Sequence, residues 1–368
     1  MNTVNRPFSR VASLPAVNVN QAWRIAAIAM LSVRFIQGFI YYGGGSRRFI
    51  FAPSKLNPDA AHWMANKFQT AMPGALLGTG HLISFMLHHF YILYAGVLLF
   101  SAAELVVGLM LMAGLMTRAA ALVSMGFSVI LMLMFGWQGA TCIDEWTMAA
   151  CNLAMGATLL LGGSGAYSVD NVLLKRKPAL AESRVFRWAS GSMSLPVNEL
   201  KFRNIALAVF ALVVVFNVAT YNYYRGSVVT PFHSGPVSPT THHLTLSNAV
   251  LMRDGSVQVH VSLDGGTPEA PVHVVKATVT DTAGMVVAQW DAAALSKLPK
   301  SNFQNDYDYN KFGPGPFGIR APMGAAATLS LSSLNKGDAN TSIAAGDTIN
   351  LTDVDGKTFS ATLSQPTS

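Results

Sequence analysis

Residues 90–115 read FYILYAGVLLFSAAELVVGLMLMAGL, an apolar run carrying a single charge, Glu104. A helix needs about 20 residues to cross the hydrocarbon core of a bilayer. A helix also satisfies its own backbone hydrogen bonds, as lipid demands. This run is therefore expected to span a membrane. Working outward, four further runs approach the same length: Trp23–Tyr42, Ala119–Trp137, Trp146–Leu161 and Asn204–Tyr221. Residues 75–87 are apolar but end at His88-His89, which places them at the interface rather than across it. The expected fold class is a membrane all-α bundle, a four-helix core plus one additional transmembrane anchor helix, followed by an extracytoplasmic β-sandwich.

Composition supports this reading. Hydrophobic residues make up 51% of the 368 and charged residues only 12%, about half the charge of an average soluble domain. Residues 1–225 hold 17 Lys+Arg against 7 Asp+Glu, whereas residues 226–368 hold 8 against 11. The net charge of +7 is thus a property of the apolar half, not a nucleic-acid footprint. With the N-terminus cytoplasmic, eleven basic residues fall on inside segments and four (Arg47, Arg48, Lys55 and Lys67) on outside loops before residue 225. The positive-inside bias selects that orientation. Five spans then put the C-terminal part in the periplasm of a prokaryotic plasma membrane.

The tail alternates apolar and polar residues near 242–252, 256–263, 272–281, 285–290, 326–333, 347–352 and 358–364. Asp254-Gly255, Asp264-Gly265-Gly266 and Asp355-Gly356 supply turns. Seven short strands of this kind predict a β-sandwich. Residues 299–325 stand out as a long connection rich in Pro, Gly and aromatics, a length that is uncommon unless functional or disordered. Its Gly313-Pro-Gly-Pro-Phe-Gly318 matches G-x-G-x-x-G by chance, since two prolines interrupt it and no helical pattern follows.

Two cysteines, Cys142 and Cys151, are too few for a Cys-ligated iron–sulfur cluster. No haem or flavin motif is visible. The scattered histidines of the tail have no metal-ligand spacing, and no metal site is predicted.

A few charged residues stand out. Arg34 and Glu104 fall mid-span, where an ionisable group costs several kcal/mol, about 2.5–3.5 on insertion scales. They read either as a structural ion pair or as a buried site for substrate or protons. Arg47 and Arg48 follow Gly43-Gly44-Gly45 and run against the charge bias. They read as a headgroup contact or as an anion site, because guanidinium groups bind oxyanions as a fork. Lys55 and Lys67 add to that field. Trp137 and Trp146 read as interfacial anchors. Cys142 and Cys151 read as a disulfide, as inert thiols, or as a redox pair.

Gly38 after Arg34, Glu104-Leu-x-x-Gly108, Gly114-Leu-x-Thr117-Arg118, Asp144-Glu145-Trp146-Thr147 and Gly165-x-Tyr167-Ser168-x-Asp170 resemble the DoxD-type small subunit of thiosulfate:quinone oxidoreductase. The tail, with Phe303-Gln-Asn-Asp-Tyr307 and Ile319-Arg320-Ala-Pro-Met-Gly324, is similar to the companion DoxA subunit. The resemblance implies one fused polypeptide. Its parts would be a cytoplasmic tail (1–22), a DoxD-like four-helix domain (23–170), a basic cytoplasmic linker (171–203), a fifth helix (204–224) and a periplasmic DoxA-like domain (225–368).

The implied activity is oxidation of two thiosulfates to tetrathionate with reduction of a membrane quinone. The expected catalytic residues are Arg34, Glu104, Cys142 and Cys151. Arg47, Arg48, Lys55, Tyr307, Lys311 and Arg320 are expected to meet the substrate. His81, His88, Trp137 and Asp144 are expected to meet the quinone. Partners are thiosulfate, quinone and the bilayer, with self-association left open. The competing readings are a non-catalytic scaffold or redox-partner subunit that docks a periplasmic protein, and an anion carrier.

Overall fold

The computed structural model describes residues 25–51, 53–60, 62–138, 145–224, 226, 241–268, 270–332 and 343–365. Its helices are α1 (Leu31–Ser46), α2 (Met64–Ala71), α3 (Thr79–His88), α4 (Phe90–Ala113), α5 (Thr117–Phe135), α6 (Glu145–Gly162), α7 (Val169–Arg176), α8 (Arg184–Ala189), α9 (Glu199–Tyr224) and the short α10 (Ala292–Ser296). Three of them, α4, α5 and α9, are long and apolar enough to cross a membrane. The protein is therefore a membrane helical part followed by an all-β part.

Residues 171–203, the expected linker, include the short helix α8 and most of α7. Helices α7 and α8 each start on a serine whose hydroxyl caps a backbone N–H, Ser168 on Asn171 and Ser183 on Phe186. Polar composition hides such short helices, because they bury little apolar surface of their own.

The chain divides into two compact units. One gathers Met1–Ser46, Ala102–Gly126 and Asn152–Val214; the other gathers Arg47–Ser101, Phe127–Cys151 and Val215–Ser368. In the first unit α1 and α4 touch backbone to backbone. A Cβ at Gly38 would meet the Gly108 carbonyl oxygen at 2.8 Å. Small residues permit this approach, and close approach supplies much of the packing energy between helices in lipid.

The second unit contains the β-domain. Its strands are β1 (His243–Leu251), β2 (Val257–Gly265), β3 (Val272–Thr280), β4 (Val286–Trp290), β5 (Phe303–Asn305), β6 (Gly313–Gly315), β7 (Gly318–Ala321), β8 (Ala326–Leu331), β9 (Thr348–Asp353) and β10 (Thr358–Thr362). One antiparallel sheet runs β1-β2-β8-β5; the other runs β10-β9-β3-β7-β6, with β4 also on β3. Inward residues of both sheets form one core, in which Val257, Val259, Val261 and Leu263 face Val272, Val274, Ile349 and Leu351. Strict alternation along β2 fixes its register, since a one-residue slip would expose all four of its apolar side chains.

Residues 299–325 are not a bare connection. They supply β5 to the first sheet and the β6–β7 hairpin to the second. The G-x-G-x-x-G stretch is that hairpin, with Gly318 at φ +114 closing its turn.

Candidate functional site

At the end of α1 the backbone widens into a π-helical turn, Arg47–Phe51, followed by a 3-10 turn, Pro53–Leu56. These turns and α2 gather four cations within the second unit. Arg48 Nη1 reaches Ser101 Oγ on α4 at 3.4 Å. Lys67 Nζ pairs with Glu145 Oε1 at 2.7 Å and stands 5.5 Å above the Phe135 ring. Lys55 lies among them. Burial first, then the charges of Arg48, Arg47 and Lys67, hold its ammonium below the ordinary lysine range, with Glu145 opposing. Like charges held this close favour a bound anion.

The same unit joins this cluster's helices to the β-domain. Gln69 is fully buried, and its amide donates to the carbonyls of Asn310 (2.9 Å) and Gly324 (3.0 Å). Asn310 N–H returns to Gln69 Oε1 at 2.8 Å, and its side chain donates to Asn66 and Met323 carbonyls. Gly324 takes φ +77, and a Cβ there would run into the Gln69 carbonyl. Tyr307 OH bonds Ser84 Oγ at 2.9 Å, and its ring lies 4.9 Å from that of His88.

Trp137 is 2% exposed, donates to Ala71 O at 2.8 Å and packs in the β-domain core. It is therefore a buried pin and not the expected interfacial anchor. Its one donor is already used, which leaves none for a headgroup. Trp146 bonds Thr220 on α9.

In the first unit, the expected Arg34–Glu104 pair is not formed. Arg34 donates to the carbonyls of Ser164 and Tyr167, both at 2.7 Å, beside Gly114. Glu104 lies against Gly44, ten residues further along α1 and so roughly 15 Å away. Nearby charge for Arg34 comes from Asp170. The Asp170 carboxylate itself accepts from the N–H groups of Met116 and Gly191. Arg118 is 1% exposed and donates to the carbonyls of Leu160, Arg187, Ser190 and Met193. Gln37, fully buried, donates to Ser124 Oγ and Asn152 O.

The remaining expected residues are dispersed. Cys151 is free and exposed on α6, while Cys142 and Asp144 lie outside the described residues. His81 is exposed on α3. Lys311 is exposed beside Asp308 at 3.4 Å. Arg320 on β7 stands opposite His273 on β3. Burial, then Arg320 and His242, hold that imidazole below its ordinary range. Two of the tail histidines meet carboxylates, His243 with Asp264 at 2.6 Å and His260 with Asp306 at 3.0 Å.

The structure thus unites Arg47, Arg48, Lys55 and Lys67, and it unites Tyr307 with His88. Gln69 and Asn310 were missed in the sequence, because a lone amide carries no signal until the fold buries it.

Two family models match this chain. Residues 29–196 match the small subunit DoxD of TQO, thiosulfate:quinone oxidoreductase, and residues 224–362 match the TQO small subunit DoxA.

Proposed function

Because the chain belongs to the DoxD and DoxA families of thiosulfate:quinone oxidoreductase small subunits, fused in one polypeptide, we propose that it oxidises two thiosulfates to tetrathionate and passes two electrons to a membrane quinone. The observation that carries this reading is the Arg47, Arg48, Lys55 and Lys67 cluster, a ready counter-charge for two dianions. At ~4 Å each unit pair of like charges repels by ~1 kcal/mol in water, and by more in a protein site. Arg47, Arg48 and Lys55 hold the anions, and Lys311 and Arg320 add positive field from the β-domain. Tyr307 fixes the loop that lies on α3.

Glu104, a carboxyl in a spanning helix, relays protons to the quinone. Cys142 and Cys151 serve in their disulfide form: one thiosulfate attacks a cysteine sulfur and releases the other thiolate, a second displaces that cysteine as tetrathionate, and the dithiol returns to the disulfide as the quinone takes two electrons and two protons. His81, His88 and Asp144 are the remaining candidates for contact with the headgroup. Arg34, whose Nη1 and Nη2 end on carbonyls, acts by positioning. The membrane is a prokaryotic plasma membrane, with the N-terminus cytoplasmic and the β-domain periplasmic.

The test is turnover by the purified full-length chain. Thiosulfate-dependent reduction of a soluble quinone analogue, with one tetrathionate formed per quinol, is expected. Well-folded protein that turns over neither would overturn the proposal and favour a scaffold that docks a periplasmic protein.

A further inference from the structure

Trp63 immediately precedes α2 and is 1% exposed, yet its indole N–H meets no acceptor among the described residues. Trp137 and Trp146, in the same unit, both donate. Buried indole N–H groups normally find a partner, and one left unpaired destabilises the empty fold. A donor kept in that state points to an occupant.

The surroundings narrow the chemistry. Trp63 packs among Ile83, Leu87, Leu93, Val97 and Phe135, with the Tyr94 ring at 5.9 Å. Phe90 stacks on Tyr94 at 5.8 Å and 19°, and Phe90 is 41% exposed on the spanning helix α4. An aromatic path therefore runs from the exposed side of α4 to the free donor. Further along the same stripe of α4 (Tyr94, Val97, Ser101) lies the serine that Arg48 reaches. A dianion would lose its hydration in this apolar cluster, where the cation on the Phe135 ring, Lys67, is already paired with Glu145. A quinone headgroup is flat and neutral and presents carbonyl acceptors, and it arrives from the lipid.

We propose that the Trp63 indole N–H donates to a carbonyl oxygen of the quinone headgroup, in a site framed by Trp63, Tyr94 and Phe90. This rests on the quinone-reducing reading above. Two thiosulfates lose two electrons as the S–S bond of tetrathionate forms. The quinone takes up those electrons and two protons to become quinol. Trp63 keeps its proton throughout and only binds and polarises the carbonyl. Admission of the ring requires half-buried Tyr94 to turn aside.

The experiment uses the full-length chain with a soluble quinone analogue. Trp63→Phe keeps an aromatic ring beside Tyr94 and removes the donor. The KM for the quinone analogue should rise about five- to tenfold, the loss of one neutral hydrogen bond, with the thiosulfate KM unchanged. Without quinone, the variant's Tm should equal or exceed that of the parent, because an unpaired donor has been removed. The rise in Tm that the quinone analogue gives the parent should shrink.

An unchanged quinone KM together with a full quinone-induced Tm rise would overturn the site. A raised thiosulfate KM in place of the quinone KM would also overturn it, by assigning the donor to the anion. Should Trp63→Phe not fold, Phe90→Ala, at an exposed position, reads the same path, and an unchanged quinone KM there overturns it. The thermal shift reads binding without turnover, so a parent that binds quinone but does not reduce it fails the functional reading and leaves this site standing.

Discussion

Arginines occur in two settings here, and their partners separate the roles. Around Arg118, guanidinium groups end on backbone carbonyls: Arg118 on four of them and Arg34 on two, with the buried Asp170 close by. The donors of Arg118 end on the chain's own carbonyls, so its site is closed, whereas Arg34 keeps one donor, Nε, that meets no acceptor among the described residues. Around Lys55, the neighbours that act on it among the described residues are mostly other cations, Arg48, Arg47 and Lys67, with the carboxylate of Glu145 opposing them. That site is one an incoming anion improves. A buried arginine is therefore no evidence of catalysis until its donors are counted.

The comparison can be broken most severely at the closed site. Arg118→Ala leaves several buried carbonyls unpaired, and charged hydrogen bonds contribute about 1.5–3 kcal/mol each. A loss of at least ~3 kcal/mol is expected, read as a collapse of thermal stability and of membrane yield. Arg118→Lys should rescue little, since a single ammonium cannot reproduce a fork onto carbonyls of Leu160, Ser190 and Met193.

Gly324→Ala comes next. It forces a Cβ into the Gln69 carbonyl at φ +77 and should loosen the seat of the β-domain on α2, read as new protease cleavage within 299–325. At the open site, Arg47→Ala should fold normally and raise the thiosulfate KM about tenfold, about 1.4 kcal/mol, with the effect fading at high salt.

Acidity sharpens the contrast further. Lys55 is charged below its pKa, and that pKa is lowered. The thiosulfate KM should therefore climb with pH earlier than an ordinary lysine would allow. Lys55→Arg, which stays charged, should flatten that rise. The smallest effect is expected for Tyr307→Phe, which loses the hydrogen bond with Ser84 and a weak one to Met72 Sδ but keeps the ring on His88. About 1 kcal/mol of stability, read by thermal unfolding, is the scale.

Much of the architecture was legible in the sequence. The apolar run at α4 announces itself by its length, and the valines of β2 by strict alternation over nine residues. Strands β5, β6 and β7 were not legible. At three or four residues, with Gly and Pro, they show no alternation, and only pairing with β8 and β3 makes them strands. Arg47 and Arg48 were legible because they oppose the charge bias of the spans. That Lys55 and Lys67 join them depends on the turns after α1, which no local pattern encodes. Arg34 and Glu104 were misleading as a pair. Both are rare charges in apolar helices, but rarity says nothing of their level along the axis.

The central claim is that the Lys55 cluster, and not the Arg118 clasp, receives the sulfur anion. Calorimetric titration of thiosulfate into the purified full-length chain, compared with a folded Arg47→Ala/Lys55→Ala double variant, tests it most directly. Binding by the parent that weakens with salt and falls at least tenfold in the variant is the predicted result. Binding undiminished in the double variant would contradict it.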